Sequence, residues 1–260
     1  MFSEHDFRSL SLLFHINSEP WLNLDAYDSE GYEVRTKQIT GTGPGVPLPK
    51  IGRPDGLSQL LQQRSSCRSY RSHPLDLKRL AEILAGSYGP TRVVRFPNGL
   101  EMEARATPSA GGLFPLELYV VCRRIDDLPD GLYHYNLLHH QLIPLRPDVG
   151  PESISEFLLA APFIDHANAV VFLGAVFDRT LQKYGARGYR YILLEAGHVA
   201  QNLCLLATER SLGSLCIGGF MDGKINRYIG LDGVTEAVVY GIAVGHPAEK
   251  ATLKGSSGVP

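Results

Sequence analysis

The segment Ala167–Phe177 constrains the chain most. It reads Ala-Asn-Ala-Val-Val-Phe-Leu-Gly-Ala-Val-Phe and is nearly all apolar and partly β-branched. Its apolar stretch Ala169–Phe177 is far too short to cross a bilayer, which takes about 20 residues. A short apolar run with no polar side reads as a strand buried on both faces.

A second pattern follows it. Over Gly188–Arg210, Ile192, Leu193, Ala196, Val199, Ala200, Leu203 and Ala207 recur at i, i+3, i+4 and i+7. That spacing predicts a long helix with one face on the core. Leu77, Leu80, Ile83 and Leu84 predict a helix over Asp76–Ser87, entered after Pro74 and with Gly86 near its end. Shorter helices are predicted at Phe7–Ile16, Leu57–Arg64 and Glu152–Ala160. Strands are predicted at Glu117–Cys122 and Glu236–Val244, and a hairpin joins Gly131–Tyr135 to Gln141–Leu145. Helices and strands mix without regular βαβ alternation, so the expected class is α+β.

Residues 1–55 stand apart as an extension. Within them Thr36–Pro54 is rich in Gly and Pro, including Gly41-Thr42-Gly43-Pro44-Gly45. No strand precedes these glycines and no helix follows, so they read as a linker and not as a dinucleotide loop. The expected organisation is an extension over 1–55, one domain over 56–250 and a tail over 251–260.

The chain has 260 residues, 44% of them hydrophobic, with 25 basic and 27 acidic side chains. This balance gives no support for a nucleic-acid surface. The opening Met1-Phe2-Ser3-Glu4-His5 lacks signal-peptide character. The cysteines Cys67, Cys122, Cys204 and Cys216 are widely spaced, and Cys204 and Cys216 read as buried thiols. A cytoplasmic, reducing location is expected.

Four segments carry candidate chemistry. Arg64-Ser65-Ser66-Cys67-Arg68-Ser69-Tyr70-Arg71 sets guanidinium forks beside hydroxyls, which suits a phosphate; it also suits a solvated basic turn. Pro108-Ser109-Ala110-Gly111-Gly112 would let backbone approach a flat ligand, or form an ordinary tight loop. Gly218 and Gly219 end a short strand and would present bare N–H groups. Lys183-Tyr184, just before the long helix, can act as a base where burial or a cationic neighbour lowers a pKa; such pairs are otherwise surface residues. Glu195 and His198 share a helix, but with no second suitably spaced histidine they read as polar packing rather than a metal site. His134, His139 and His140 read as solvated turn residues. There is no Walker loop, GxSxG or HExxH.

Taken in order, these segments resemble the SagB-type dehydrogenases of the FMN-dependent nitroreductase superfamily. The likeness runs from about Leu57 to His246. It rests on Arg64–Tyr70, Pro108–Tyr119, Gly131-Leu132-Tyr133-His134-Tyr135, Lys183-Tyr184-Gly185-Ala186-Arg187-Gly188-Tyr189-Arg190, Leu194–Leu203 and Ile217-Gly218-Gly219-Phe220.

The resemblance implies a nitroreductase-like fold, with a central mixed β-sheet wrapped by helices in an interlocked homodimer that holds FMN at the subunit interface. It implies that Arg64, Ser66 and Arg68 hold the phosphate and ribityl end. Ser65 stands where the family often has a second arginine, and Lys250 or Lys254 would supply a further basic contact. Pro108, Ser109, Ala110 and Gly111 would line the isoalloxazine, and Gly218 and Gly219 would approach its N5 side. Lys183 and Tyr184 would be catalytic, removing a proton while hydride passes to FMN N5 and a thiazoline or oxazoline becomes an azole. A peptide or carrier-bound substrate and a cyclodehydratase or synthetase partner are implied as well. The alternatives are a general NAD(P)H-dependent nitro- or quinone reductase and a non-catalytic scaffold subunit.

Overall fold

The computed structural model describes residues 4–18, 47–49, 52–147, 149–150, 153–160, 163–164 and 166–248. The glycine run at 41–45 and the tail 251–260 lie outside them.

Helix α1 (Glu4–Asn17) precedes α2 (Gly56–Gln63) and α3 (Leu77–Tyr88). A hairpin of β1 (Pro90–Arg95) and β2 (Glu101–Arg105) follows, then β3 (Leu116–Cys122), β4 (Gly131–Asn136), β5 (Gln141–Pro147) and β6 (Ala169–Val176). The chain continues through α4 (Asp178–Tyr184), α5 (Arg187–Glu209), β7 (Gly213–Ile217), α6 (Asp222–Ile229) and β8 (Glu236–Gly245). This is the expected α+β class.

The central sheet has six strands in the order β5-β4-β3-β6-β8-β7. The apolar run lies in its middle, paired with β3 on one side and β8 on the other. Ala169, Val171, Leu173 and Ala175 face a core shared with α3 and α5. Val170 and Phe172 face a second core with Ile154, Ile164, Ile225 and Ile229. Both faces of β6 are thus covered, which is why its sequence shows no polar alternation.

Two expectations need correction. The six strands pair antiparallel throughout, so the sheet is not mixed. Parallel pairing enters at the β7 edge through the isolated bridge Ser66–Ser214. Where a helix is expected over Glu152–Ala160, the described residues 153–160 hold short 3-10 structure, including Ser155–Phe157, and no α-helix. Backbone groups there are engaged elsewhere: Leu159 N–H donates to Gly219 at 3.0 Å and Met221 N–H to Phe157 at 2.8 Å. Tertiary bonds replace the helical ladder.

Helix α5 buries Ile192, Ala196, Val199, Ala200, Leu203 and Ala207 as its stripe predicts, whereas Leu193 is partly exposed. Asp76 caps α3 by accepting from the N–H of Lys78 at 2.6 Å. Helix α1 rests on the α4–α5 corner. There His15 Nδ1 meets the Tyr189 hydroxyl at 3.0 Å, and the His15 ring lies 5.3 Å from that of Phe177.

Candidate active site

Helix α4 ends at Tyr184 because Gly185 takes φ 56°, and the chain turns straight into α5. Gly188 makes the corner possible. A β-carbon there would lie 3.1 Å from Thr180 backbone and the Leu181 side chain. The corner aims Lys183 and Tyr184 at the loop of Ala110–Gly112. A β-carbon on Gly111 would stand 2.7 Å from the Tyr184 hydroxyl and 2.8 Å from Lys183 Nζ. Gly111 also holds φ 65°, a conformation glycine adopts at no steric cost. Lys183 and Tyr184 therefore converge on Gly111, which lies far from them in sequence.

A buried network fixes this loop. The Tyr88 hydroxyl donates to Glu195 Oε1 at 2.7 Å and accepts from Leu116 N–H at 3.3 Å. Ser109 also hydrogen-bonds Glu195 through its side chain. Its Oγ accepts from Phe114 N–H at 2.9 Å. Burial pushes the Glu195 carboxyl up, and the bonds from Ser109 and Tyr88 and the charge of Arg105 only partly offset that. Arg105 lies over the rings of Tyr88 and Phe114, 4.8 and 4.5 Å from their centroids. Glu195 is the polar packing that its helix position suggested. Among the described residues no group of acidic, histidine and cysteine side chains can hold a metal.

Phe114 and Arg105 also line a cleft of about 400 Å³, together with Glu117, His134 and Arg179 among others. Glu117 accepts from Arg179 at 2.7 Å and pairs with His134 Nε2 at 2.8 Å. His134 is therefore an engaged strand residue and not a solvated turn residue. His140 also has a partner, the Tyr135 hydroxyl at 2.6 Å. Arg179 sits one helical turn before Lys183, so this cleft adjoins the Lys183–Tyr184 corner. No local pattern signals this trio, because its members come from β3, β4 and α4.

The arginine cluster runs along the opposite edge of the sheet. Arg64 ends α2. Cys67 N–H donates to Ser214 at 2.8 Å, Arg71 N–H to His246 at 2.9 Å, and Ala248 N–H to Ser69 at 2.9 Å. The segment is thus strapped between β7 and the residues after β8. Ser65, Ser66 and Arg68 line a cleft of about 700 Å³ with Thr208, Ser211 and Gly213. Gly218 is exposed just beyond β7, and a β-carbon there would meet only the Tyr240 ring, at 3.8 Å. Gly219 is turned toward Leu159, 2.8 Å from where its β-carbon would be. Cys204 is buried as expected, but Cys216, expected to be buried as well, is exposed at edge strand β7, although its thiol faces Cys204.

The candidates therefore form two groups along α5. Ser109, Gly111, Lys183 and Tyr184 gather near its N-terminal half at Glu195, and Arg64 lies near Cys204. At 1.5 Å per residue the two helix positions are roughly 13 Å apart. Lys250 and Lys254 lie outside the described residues. No helix among the described residues is long and apolar enough to cross a membrane.

Comparison with known proteins places this architecture. The model of the nitroreductase family matches residues 61–246. A Methanocaldococcus jannaschii protein described as a nitroreductase, MJ1384, is 35% identical over 173 residues, covering 66% of this chain and 83% of that protein. The microcin B17-processing protein McbC of Escherichia coli is 28% identical over 140 residues, and the match covers 51% of each chain. Among solved structures, a chain of the E. coli microcin synthetase McbBCD complex with truncated pro-MccB17 superposes with a TM-score of 0.70 at 18% identity, covering 95% of this chain and 96% of that one. A Desulfovibrio desulfuricans nitroreductase in complex with FMN gives a TM-score of 0.54 at 17% identity over 80% of this chain and 94% of that one. With a family model spanning most of its length and the matching fold, this chain belongs to the nitroreductase family.

Proposed function

We propose that this protein is an FMN-dependent dehydrogenase that oxidises a thiazoline or oxazoline, in a peptide or related intermediate, to the aromatic azole. The observation that carries this reading is the meeting of Lys183 Nζ and the Tyr184 hydroxyl over Gly111. An acid–base pair fixed against a glycine backbone suits a reaction that removes a proton from a flat ring. The similarity to McbC, a microcin B17-processing protein, points the same way.

The residues present suit FMN. Arg64, Ser66 and Arg68 would hold the phosphate end, with Ser65 beside them. Pro108, Ser109, Ala110 and Gly111 would line the ring, where a side chain at 111 would intrude. Gly218 offers an uncovered backbone for the ring edge, while Gly219 faces Leu159 and acts by shaping the turn. Bound FMN would supply the two-electron acceptor. The arginine group and the Gly111 loop sit at different positions along α5. A homodimer in which one copy's arginine group meets the other copy's loop would bring both to one flavin.

The protein's own part is proton removal. Lys183 or Tyr184 takes the proton from the ring carbon bearing the peptide carbonyl. Glu195, through Ser109, keeps the loop in place while this happens. A cyclodehydratase or synthetase partner would make the azoline, as the kinship with a synthetase subunit fold suggests.

The test is direct. The flavin-loaded protein is given a thiazoline peptide under air, and the product is weighed by mass spectrometry. Loss of two hydrogens with a new azole absorbance is expected. No azole, together with rapid NAD(P)H-dependent reduction of a nitroarene or quinone, would replace this reading with the reductase one.

A further inference from the structure

Two cysteines face each other across the contact between α5 and β7. Cys204 Sγ and Cys216 Sγ lie 3.7 Å apart. Cys204 is buried and Cys216 exposed, so one sulfur is reachable and the other waits behind it. Closing them to a disulfide bond of roughly 2.0 Å needs only a small side-chain movement. The remaining cysteines have no such neighbour. Cys122 is buried in the core, and Cys67 makes its hydrogen bond to the Ser69 carbonyl at 3.2 Å.

The surroundings separate the two thiols chemically. The hydrogen bond from Cys204 holds the Cys216 thiol below the ordinary range, against the effect of its partial burial, and Tyr240 and Arg64 add to this. The same bond and burial push Cys204 up, opposed by Ser214 and Arg64. A thiolate is the attacking species in thiol–disulfide exchange, so the exposed sulfur is the better nucleophile.

We propose that Cys204 and Cys216 form a reversible dithiol–disulfide couple, with Cys216 attacking a small-molecule disulfide and Cys204 resolving the product. In the first step Cys216 Sγ bonds to one sulfur of R–S–S–R. The small molecule's S–S bond breaks, and the departing thiolate takes up a proton equivalent to the one Cys216 gave up. In the second step Cys204 loses its proton and attacks Cys216 Sγ, releasing the second R–SH. Two electrons pass from the protein dithiol to the small-molecule disulfide. The balance is one protein disulfide and two small thiols. The closed couple ties α5 to the strand that leads into Gly218 and removes the thiolate that Arg64 faces. The couple borders the proposed flavin site, since Cys216 lies two residues before Gly218 and beside Arg64.

The test uses the whole protein with glutathione disulfide as the probe, followed by alkylation, digestion and mass spectrometry. Wild type is expected to give a Cys204–Cys216 linked peptide that dithiothreitol reverses, with Cys67 and Cys122 alkylated. In Cys204→Ser, Cys216 should accumulate as the stable mixed disulfide with glutathione. In Cys216→Ser, Cys204 should stay unmodified. Absence of the linked peptide in wild type at glutathione disulfide levels that oxidise an exposed control dithiol would overturn the proposal. So would preferential modification of Cys67, or of Cys204 in Cys216→Ser. The wild-type measurement decides the matter even if a variant folds poorly.

Discussion

Single side chains in the buried network have separable jobs. Tyr88 is fully buried, and its hydroxyl gives Glu195 a short hydrogen bond. Tyr88→Phe keeps the ring but leaves the carboxylate one donor short, which should cost about 1–3 kcal/mol of stability. Denaturant unfolding checks this, and an unchanged midpoint would mean that Ser109 and Arg105 alone satisfy Glu195. Glu117 behaves differently. Burial by itself would raise its carboxyl, but the hydrogen bonds from His134 and Arg179 and their charges bring it below its ordinary value. A depressed carboxyl contributes stability that is present above the unfolded pKa of about 4.3 and is lost as pH falls through the folded value. Stability should therefore drop from roughly pH 5 downward, and Glu117→Gln should flatten that acid limb. A variant with the same acid limb as wild type would remove Glu117 from the account. The sequence marks Glu195 as polar packing, but none of the pairings in this network is legible in it. Tyr88, Ser109 and Glu195, like Glu117, His134 and Arg179, come from separate elements, and no local pattern links them.

Elements differ in how openly the sequence declares them. Helix α5 and strand β6 were readable because their burial imposes a period or abolishes one. The β1–β2 hairpin was not, since Thr91, Arg92, Arg95 and Glu101 are exposed and it offers no apolar face to detect. Helix α4 hid for a similar reason, with Thr180 its sole buried residue. The segment after Gly150 has the apolar spacing of a helix, but backbone bonds tie it to Gly219 and Met221 instead. The strap carrying the arginine cluster is a further element that no period marks. Its seat depends on Gly213, where a β-carbon would come 2.5 Å from Cys67 Sγ and 2.6 Å from Cys67 Cβ. Gly213→Ala should push the strap off β7 and cost about 1–3 kcal/mol by overpacking. Weakened flavin retention should accompany the loss. Wild-type stability in this variant would show that the strap yields freely.

At the scale of the molecule, the resemblance read from ordered motifs placed the chain in its family, and the fold agrees in class while its sheet is antiparallel rather than mixed. Lys183, Tyr184 and Gly111 are each named by that likeness, but their convergence appears only in the folded chain, where a β-carbon on Gly111 would run into both side chains. The assembly proposed here has two copies, so light scattering should give about twice the 28.5 kDa chain mass. A stable, flavin-loaded monomer would refute the shared site. The central claim is that Lys183 and Tyr184 remove the substrate proton. Single-turnover azoline oxidation by wild type, Lys183→Ala and Tyr184→Phe, with flavin content measured in each, tests it most directly. Both variants should keep full flavin content and turn over more slowly by about 10²–10⁴, the usual loss for a positioned acid or base. Wild-type rates in both would contradict it.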